Sequence, residues 1–271
     1  MSARFMALAV ALFVSACAQA PLRGTGDLGL VIERGAGRIQ LVETTGRTAI
    51  GEVAGLGDLS HAAAVYSRDG RHAFVFGRDG GLTKVDIAAR RIVARTLQAG
   101  NSIGGAISQD GRLVIAQNYT PGGIKVFDAA TLELLSEVPT NSKVVGLADL
   151  AAQRFAYALF DAGEIWITDL ADPRRPRTQK FAAGQQPYDG LVTPNGRHYM
   201  AGLFGEDGIA LLDTWQPQAG AKKILENYGK GQEKLPVFKM PHLRGWAVAG
   251  NRAYLPAIGR HEVLVVDTPT W

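Results

Sequence analysis

The sequence predicts an all-β protein, a β-propeller of about six visible blades. A short strand closed by an acidic residue recurs about every 43 residues, and a strand repeat of this period is typical of propeller blades. The six copies are residues 38–43, 81–86, 123–128, 164–169, 208–213 and 262–267. The chain of 271 residues carries 33 glycines, which agrees with many short strands joined by tight turns.

Each repeat unit contains the same parts in the same order. It starts with a turn that carries Asp-Gly or Asn-Gly, where glycine permits the positive φ of a tight hairpin. The glycines of these turns include Gly70, Gly111 and Gly196. An apolar strand follows, then a second glycine-rich turn, then the strand that ends in the acid. The second copy fits least well, because Lys84 stands where the other copies have an aliphatic residue.

The last repeat differs from the others in its spacing and its ending. An insertion of residues 216–240 precedes it, and residues 221–228 within this insertion are predicted to form two turns of helix. The chain stops at Trp271, without an outer strand for the sixth blade. Two arrangements would be consistent with this ending. The chain forms either a six-bladed ring that is closed by the N-terminal strand 28–33, or a piece of a larger ring.

The N-terminus predicts a secretory signal over residues 1–20. Its apolar run, residues 5–14, is too short to span a bilayer. Cys17 follows Val-Ser-Ala, as in the lipobox of bacterial lipoproteins, whereas cleavage after Ala20 would remove this cysteine altogether. We expect a periplasmic protein, anchored to the membrane through Cys17 in the favoured alternative, whose propeller covers residues 24–271.

Composition and charge exclude several classes of protein. Hydrophobic residues make up 46% and charged residues 20%, as in ordinary globular domains. The net charge is +4, but the bases alternate with acids and the densest basic cluster, residues 173–177, falls in a predicted loop. No nucleic-acid partner is expected, because no basic face with a known module is visible. A single cysteine also excludes an internal disulfide.

Two short motifs match enzyme signatures without the structural context that those enzymes need. Residues 24–29 spell Gly-x-Gly-x-x-Gly, but a strand rather than a helix is predicted to follow, so no NAD is expected. Residues 100–104 spell the Gly-x-Ser-x-Gly of serine hydrolases, but here they are predicted to enter a blade strand rather than a strand-to-helix turn.

The five histidines show no metal-binding spacing. His72 and His198 occupy equivalent strand positions, which favours packing roles. His61 opens the inner strand of its blade, and His242 follows the insertion. On the residues alone, both are better explained as structural histidines than as ligands.

Three segments resemble the start of a haem d1-binding, eight-bladed propeller: residues 32–41, His61 and residues 70–80. Nitrite reductases of denitrifying bacteria contain such a domain, and so does a haem d1 biosynthesis protein that lacks the c-type haem domain. This chain has no Cys-x-x-Cys-His, in agreement with the biosynthesis protein. The resemblance implies eight blades, so the six visible ones would form a truncated propeller.

The resemblance also implies which residues hold the ligand. Arg34 and Arg78 match arginines that bind the carboxylates of the macrocycle, a role that suits a planar, permanently charged guanidinium. His61 lies at or within one position of the reductase's proximal haem ligand, so it could ligate iron or act at the edge of the macrocycle. A further arginine of the reductase is replaced here by Ala64.

On the distal side of the ligand, opposite His61, the residues of this chain differ from those of the reductase. Tyr188 and Asp189 stand where the reductase has its distal catalytic histidine, which argues against nitrite reduction. His242 and Arg244 are further candidates for contact with the macrocycle. Proton transfer is assigned to His61, Tyr188 or Asp189.

The implied function is a role in making haem d1 for dissimilatory nitrite reductase. In one hypothesis the protein binds haem d1 or a late tetrapyrrole precursor and modifies it oxidatively, as a dehydrogenase. In the alternative it is a non-catalytic carrier or assembly scaffold that delivers the cofactor. The expected partners are the tetrapyrrole, other haem d1 maturation proteins and nitrite reductase. A generic interaction propeller is a third hypothesis, which rests on the fold alone.

Overall fold

The computed structural model describes residues 25–228, 247–257 and 261–271. These residues form 22 strands in six antiparallel sheets, together with three short 3-10 helices at Thr25–Asp27, Arg34–Ala36 and Pro217–Ala219. Within these ranges, no helix is long and apolar enough to cross a membrane. The predicted all-β propeller with six visible blades is confirmed.

Each sheet is one blade, and within each blade the strands follow one another in chain order. Blades 1 and 2 are β1 (Leu28–Glu33), β2 (Arg38–Glu43), β3 (Thr48–Val53), and β4 (Ala63–Tyr66), β5 (His72–Phe76), β6 (Gly81–Asp86), β7 (Arg91–Leu97). Blades 3 and 4 are β8 (Asn101–Ile107), β9 (Leu113–Thr120), β10 (Gly123–Asp128), β11 (Leu134–Pro139), and β12 (Val144–Leu150), β13 (Arg154–Leu159), β14 (Glu164–Asp169), β15 (Arg177–Ala182). Blades 5 and 6 are β16 (Pro187–Val192), β17 (His198–Leu203), β18 (Ile209–Asp213), β19 (Ala221–Ile224), and β20 (Ala247–Ala249), β21 (Arg252–Ala257), β22 (Glu262–Asp267).

The acid that closes each repeat has a structural role. The carboxylate of Asp86 accepts a hydrogen bond from the backbone N–H of Ala89 at 2.8 Å, and Asp169 does the same for Ala171. Such a side chain fixes the turn into the next strand. The recurring acid is therefore a turn-forming residue rather than a catalytic one.

The hydrophobic core lies between the blades. Five clusters of buried side chains are found in the described residues. Four of them join two consecutive blades, and the fifth joins blades 4 and 5 and also includes Ile103 of blade 3. Between blades 5 and 6, for example, Met200 and Ile209 pack with Leu255 and Val266. A blade buries its faces against its neighbours, as expected for a repeat array.

Lys84, the irregular residue of the second copy, connects two blades. Its side chain is buried, and its Nζ donates to the carbonyls of Ala129 and Ala130 at 2.9 and 2.8 Å. Burial lowers the pKa of this lysine, while the nearby Asp128 carboxylate acts in the opposite direction. The residue that breaks the repeat pattern thus links blade 2 to the turn after β10 in blade 3.

One expectation about the later part of the chain is wrong, and one of the two alternatives for closing the ring is not observed. The predicted helix at 221–228 is not formed, because β19 pairs with β18 and completes blade 5. Strand pairing outweighs the helix propensity of this segment, because tertiary context overrides intrinsic propensity. Strand β1 does not close the sixth blade, because it pairs with β2 in blade 1. The larger, eight-bladed ring stays a prediction.

The direction of the strands places selected turns at one end of the molecule. The first and third strands of a four-stranded antiparallel blade run in the same direction, so both start at the same end. In the four-stranded blades, the entry into the first strand therefore lies at the same end as the turn that precedes the acid-closed strand. We call this end the mouth.

Candidate functional site

A cavity of about 350 Å³ lies at the mouth and brings together four of the residues predicted for the site. Its lining includes Arg34, His61, Tyr188 and Asp189, which come from blades 1, 2 and 5. The remaining lining is mostly small or apolar. The fold therefore gathers residues separated by about 150 positions into one site.

His61 lies two residues before β4, in a loop that is held by hydrogen bonds. The Asp58 carboxylate accepts the backbone N–H of Ser60 at 2.8 Å, and hydrogen bonding to Ser60 lowers the pKa of Asp58. The Asp58 carbonyl accepts the backbone N–H of Arg78 at 2.7 Å. The loop that positions His61 is thus connected to the turn that carries Arg78.

Arg34 and Arg78 occupy the equivalent turn in blades 1 and 2, and both side chains are exposed. Nearby Arg38 pairs with Glu33 and Glu52, and Arg95 pairs with Asp79. No ion pair within the described ranges involves Arg34 or Arg78. The two arginines therefore present positive charge at the mouth to an incoming anion.

Asp189 has an unusual backbone conformation at the base of the cavity. It is buried, has a φ of +53°, and lies in a bulge of β16 between Tyr188 and Leu191. Positive φ is uncommon for residues other than glycine and costs on the order of 1–3 kcal/mol. The neighbouring blade holds this conformation through close backbone packing at Gly146, where an added Cβ would lie 2.2 Å from the Asp189 carbonyl oxygen.

Four aromatic side chains form the other side of the mouth, and we call them the aromatic wall: Tyr119, Phe160, Tyr188 and Phe204. The Tyr188 and Phe204 rings stack with centroids 4.5 Å apart and an interplanar angle of 25°. Phe160 meets both rings edge-on, at 5.9 and 5.6 Å. The Tyr119 and Tyr188 hydroxyls lie 3.0 Å apart, and burial, followed by this hydrogen bond, raises the pKa of Tyr119.

Three members of the aromatic wall were missed by sequence reasoning, although a signal for them exists. Arg34, Tyr119, Phe160 and Phe204 each stand nine positions before a closing acid, and Arg78 stands eight before Asp86. The position eight or nine residues before a closing acid therefore identifies a side chain that lies at the mouth. Tyr188, by contrast, comes from an inner strand and was predicted.

Gln117 is a further cavity residue that the sequence did not indicate. Its side chain is 2% exposed, and its Oε1 accepts the backbone N–H of Leu147 at 2.9 Å. The Ser102 hydroxyl donates to the Gln117 carbonyl within blade 3. Gln117 therefore connects blades 3 and 4 beneath the mouth, and we assign it a positioning role.

Several predicted residues lie outside the described ranges, namely Cys17, His242 and Arg244. Among the described residues, no group of three or more His, Cys, Asp or Glu side chains is arranged to hold a metal ion. His61 could therefore contribute one ligand to an iron that a macrocycle brings with it, rather than form a metal site of its own.

The two motifs that match enzyme signatures lead into strands, as predicted. The first motif leads into β1, and Ser102 of the second motif is buried within β8.

Comparisons with known proteins cover nearly the whole chain. Residues 23–271 match the cytochrome D1 heme domain family. The chain is 54% identical to Protein NirF of Stutzerimonas stutzeri over 276 residues, covering 98% of this chain and 71% of that protein. It is 56% identical to Protein NirF of Pseudomonas aeruginosa over 273 residues, covering 97% and 70%.

The structure of dihydro-heme d1 dehydrogenase NirN in complex with DHE is similar in fold. Its TM-score is 0.76 at 22% identity, over 94% of this chain and 54% of that chain. The present chain thus spans about half of the NirN chain. The resemblance seen in residues 32–41, His61 and residues 70–80 is confirmed by the family match and the NirF relatives, and the chain belongs to the cytochrome D1 heme domain family.

Proposed function

We propose that this protein acts in haem d1 biosynthesis and binds haem d1 or a late precursor of it at the mouth. Family membership and the NirF relatives support the pathway. One structural observation carries the binding site: Arg34, which has no ion-pair partner among the described residues, lines a cavity with His61 and with Tyr188 of the aromatic wall. Arg78, also without an ion-pair partner there, lies in the equivalent turn of blade 2 rather than in the cavity lining.

The residues at the mouth fit the chemistry of a carboxylated tetrapyrrole. Its carboxylates would pair with Arg34 and Arg78, since a guanidinium can bind a carboxylate through two parallel hydrogen bonds. Its flat, apolar surface would lie against the aromatic wall, where rings stack favourably. A neutral His61 imidazole could ligate iron or hold a proton at the edge of the macrocycle.

Oxidative modification of the bound tetrapyrrole is the first candidate role. The structural neighbour NirN is a dihydro-heme d1 dehydrogenase, which makes a dehydrogenation the reaction to test. The bound macrocycle would supply the redox chemistry. The residues of this chain would fix its position and accept a proton at His61 or at the buried Asp189 carboxylate.

A carrier or assembly role is the second candidate, in which the protein passes haem d1 to nitrite reductase or to another maturation protein. The open mouth supports this role, because Arg34 and Arg78 are both exposed and can release a ligand as readily as bind it. The two roles differ in turnover: a dehydrogenase converts many equivalents of ligand, whereas a carrier returns the same ligand.

An anaerobic absorbance titration with haem d1 and with its dihydro precursor tests the proposal. We expect a saturable spectral shift at one equivalent, and a His61→Ala variant with an altered spectrum or weaker binding. Absence of any shift would overturn the proposed function, and an unchanged His61→Ala titration would overturn the role of His61. Conversion beyond one equivalent, with an added electron acceptor, identifies a dehydrogenase, and its absence identifies a carrier.

We also propose that the protein works in the periplasm, anchored by a lipid on Cys17. The support is the apolar run 5–14 and the small residues that precede this cysteine. The protein should fractionate with membranes, and a Cys17→Ser variant should not. Equal fractionation of the two would contradict the lipid anchor.

A further inference from the structure

A chain of hydrogen bonds links the turn that carries Arg78 to Tyr119 in the next blade. The backbone N–H of Gln98 donates to the carbonyl of Gly80, two positions beyond Arg78, at 2.9 Å. The buried side chains of Gln98 and Asn118 exchange two hydrogen bonds, at 2.9 and 2.8 Å. Tyr119 directly follows Asn118 in β9. Because buried amides that satisfy each other rigidify their surroundings, the Arg78 turn and Tyr119 are held together at the mouth.

The hydroxyls of Tyr119 and Tyr188 carry one proton more than the hydrogen bond between them uses. A tyrosine hydroxyl is protonated at neutral pH, so the two hydroxyls hold two protons. The bond between them, at 3.0 Å, uses one of these protons. Among residues 25–228, 247–257 and 261–271, no further hydrogen bond from either hydroxyl is found. The pair can therefore donate one more hydrogen bond.

The charge of Arg78 reaches the Tyr119 hydroxyl. Burial, followed by the hydrogen bond to Tyr188, raises the pKa of Tyr119, whereas the positive charge of Arg78 acts in the opposite direction. The Asp189 carboxylate makes a smaller contribution to the increase. Since Tyr119 lies within the electrostatic influence of Arg78, a carboxylate that reaches this arginine comes near the hydroxyl as well.

We propose that Arg78 and Tyr119 bind the same carboxylate of the ligand, while Tyr188 donates its proton to Tyr119. An ionised carboxylate has about four acceptor positions, so it can accept the N–H groups of a guanidinium and an O–H group together. The contact with the phenol is a charge-assisted hydrogen bond, because its acceptor is ionised. This inference rests on the proposed function and adds Tyr119 to the residues that bind the tetrapyrrole.

A double-mutant cycle with haem d1, followed by anaerobic absorbance titration, tests this inference. Tyr119→Phe keeps the ring and removes the hydroxyl, so it should raise the dissociation constant by about tenfold, the effect of one hydrogen bond to a charged group. In an Arg78→Ala background the same substitution should cost less than about twofold, because the shared carboxylate is no longer held there. In an Arg34→Ala background it should still cost about tenfold, since Arg34 lies in blade 1 and would pair with another carboxylate.

Two further variants separate the donor hydroxyl from its surroundings. Tyr188→Phe removes the donor to Tyr119 but leaves Tyr119 able to donate, so it should raise the dissociation constant only about twofold. Tyr66→Phe removes an exposed phenol at the end opposite the mouth and should leave the dissociation constant unchanged. Thermal melts compare the stability of each variant with that of the wild type.

The outcomes separate this inference from the proposed function. An unchanged dissociation constant in Tyr119→Phe, or a cost as large in the Arg78→Ala background as in the Arg34→Ala background, would overturn the shared carboxylate and leave the tetrapyrrole site in place. A larger cost for Tyr188→Phe than for Tyr119→Phe would overturn it as well, because Tyr188 would then be the donor. If haem d1 does not bind to the wild type, the proposed function fails and the inference fails with it.

Discussion

At the scale of single residues, the backbone around Asp189 shows how one blade controls the site in another. Gly146 in β12 has a φ of +63°, and its carbonyl accepts the Tyr199 hydroxyl at 2.8 Å. This contact links β12 of blade 4 to β17 of blade 5 below the mouth. The position of the Asp189 carboxylate therefore depends on a glycine in the neighbouring blade.

A Gly146→Ala variant should be destabilised for two reasons. Its Cβ would meet the backbone of Asp189 at 2.2 Å, and its φ is one that side chains disfavour. We expect a loss of about 2–4 kcal/mol in the free energy of unfolding, measured by urea denaturation. Gly196→Ala is the control, since Gly196 also has positive φ but nothing lies within 4 Å of its added Cβ. Equal losses in both variants would contradict the packing explanation.

At the scale of structural elements, the turns opposite the mouth share one hydrogen-bonding pattern. In the turn between β8 and β9, the Ser108 hydroxyl and the backbone N–H of Arg112 both donate to the Asp110 carboxylate. The turn between β16 and β17 repeats this pattern with Thr193 and Asn195. The side-chain oxygen of either an aspartate or an asparagine can therefore accept the hydrogen bonds that fix this turn.

The carboxylate makes the β8–β9 turn sensitive to acid. Hydrogen bonds from Ser108 and Arg112 lower the pKa of Asp110 to about 2, although burial, the largest single influence, acts in the opposite direction. A carboxylate whose folded pKa is below its unfolded value stabilises the fold above the unfolded pKa. This contribution is lost as the pH falls from about 4 towards 2.

An Asp110→Asn variant should keep the turn and lose this part of the pH dependence. We expect a melting temperature close to that of the wild type at pH 7 and a smaller drop between pH 4 and pH 2. Thermal melts at these three pH values measure both quantities. A drop as large as that of the wild type would show that Asp110 does not contribute to acid sensitivity.

The strands and turns could be predicted from the sequence because the patterns that determine them are local. The acids, the glycine turns and the apolar strands repeat along the chain, so the blades follow from a period that needs no tertiary contact. The segment 221–228 was misjudged because its pairing with β18, rather than its own propensity, decides its structure. The role of Lys84 could not be predicted from the repeat pattern, because its hydrogen-bond partners, Ala129 and Ala130, belong to the next blade.

At the scale of the whole molecule, the site is made from contacts between blades, and these were harder to predict. Arg34 and His61 were found through resemblance to a family. Phe160 belongs to blade 4, so its approach to Tyr188 and Phe204 of blade 5 emerges only when these two blades pack together. The same holds for Gln117, whose acceptor role depends on Leu147 in the following blade.

The whole-molecule arrangement also explains why the mouth is suited to one flat, negatively charged ligand. Blades 1 and 2 supply the charge, blades 3 to 5 supply the rings, and the shared cores between blades hold these groups in fixed order. A site that spans five blades can match the extent of a macrocycle in a way that no single blade could.

The central claim is that Arg34 and Arg78 hold the carboxylates of haem d1 or its precursor. The most direct test is an anaerobic titration of the Arg34→Ala/Arg78→Ala double variant with haem d1, followed by absorbance. The dissociation constant should rise by about 10- to 100-fold, the effect of two charge-assisted contacts. It should stay unchanged in Arg71→Ala/Arg91→Ala, which removes two exposed arginines at the opposite end. Equal affinity of the wild type and the mouth variant would contradict the account.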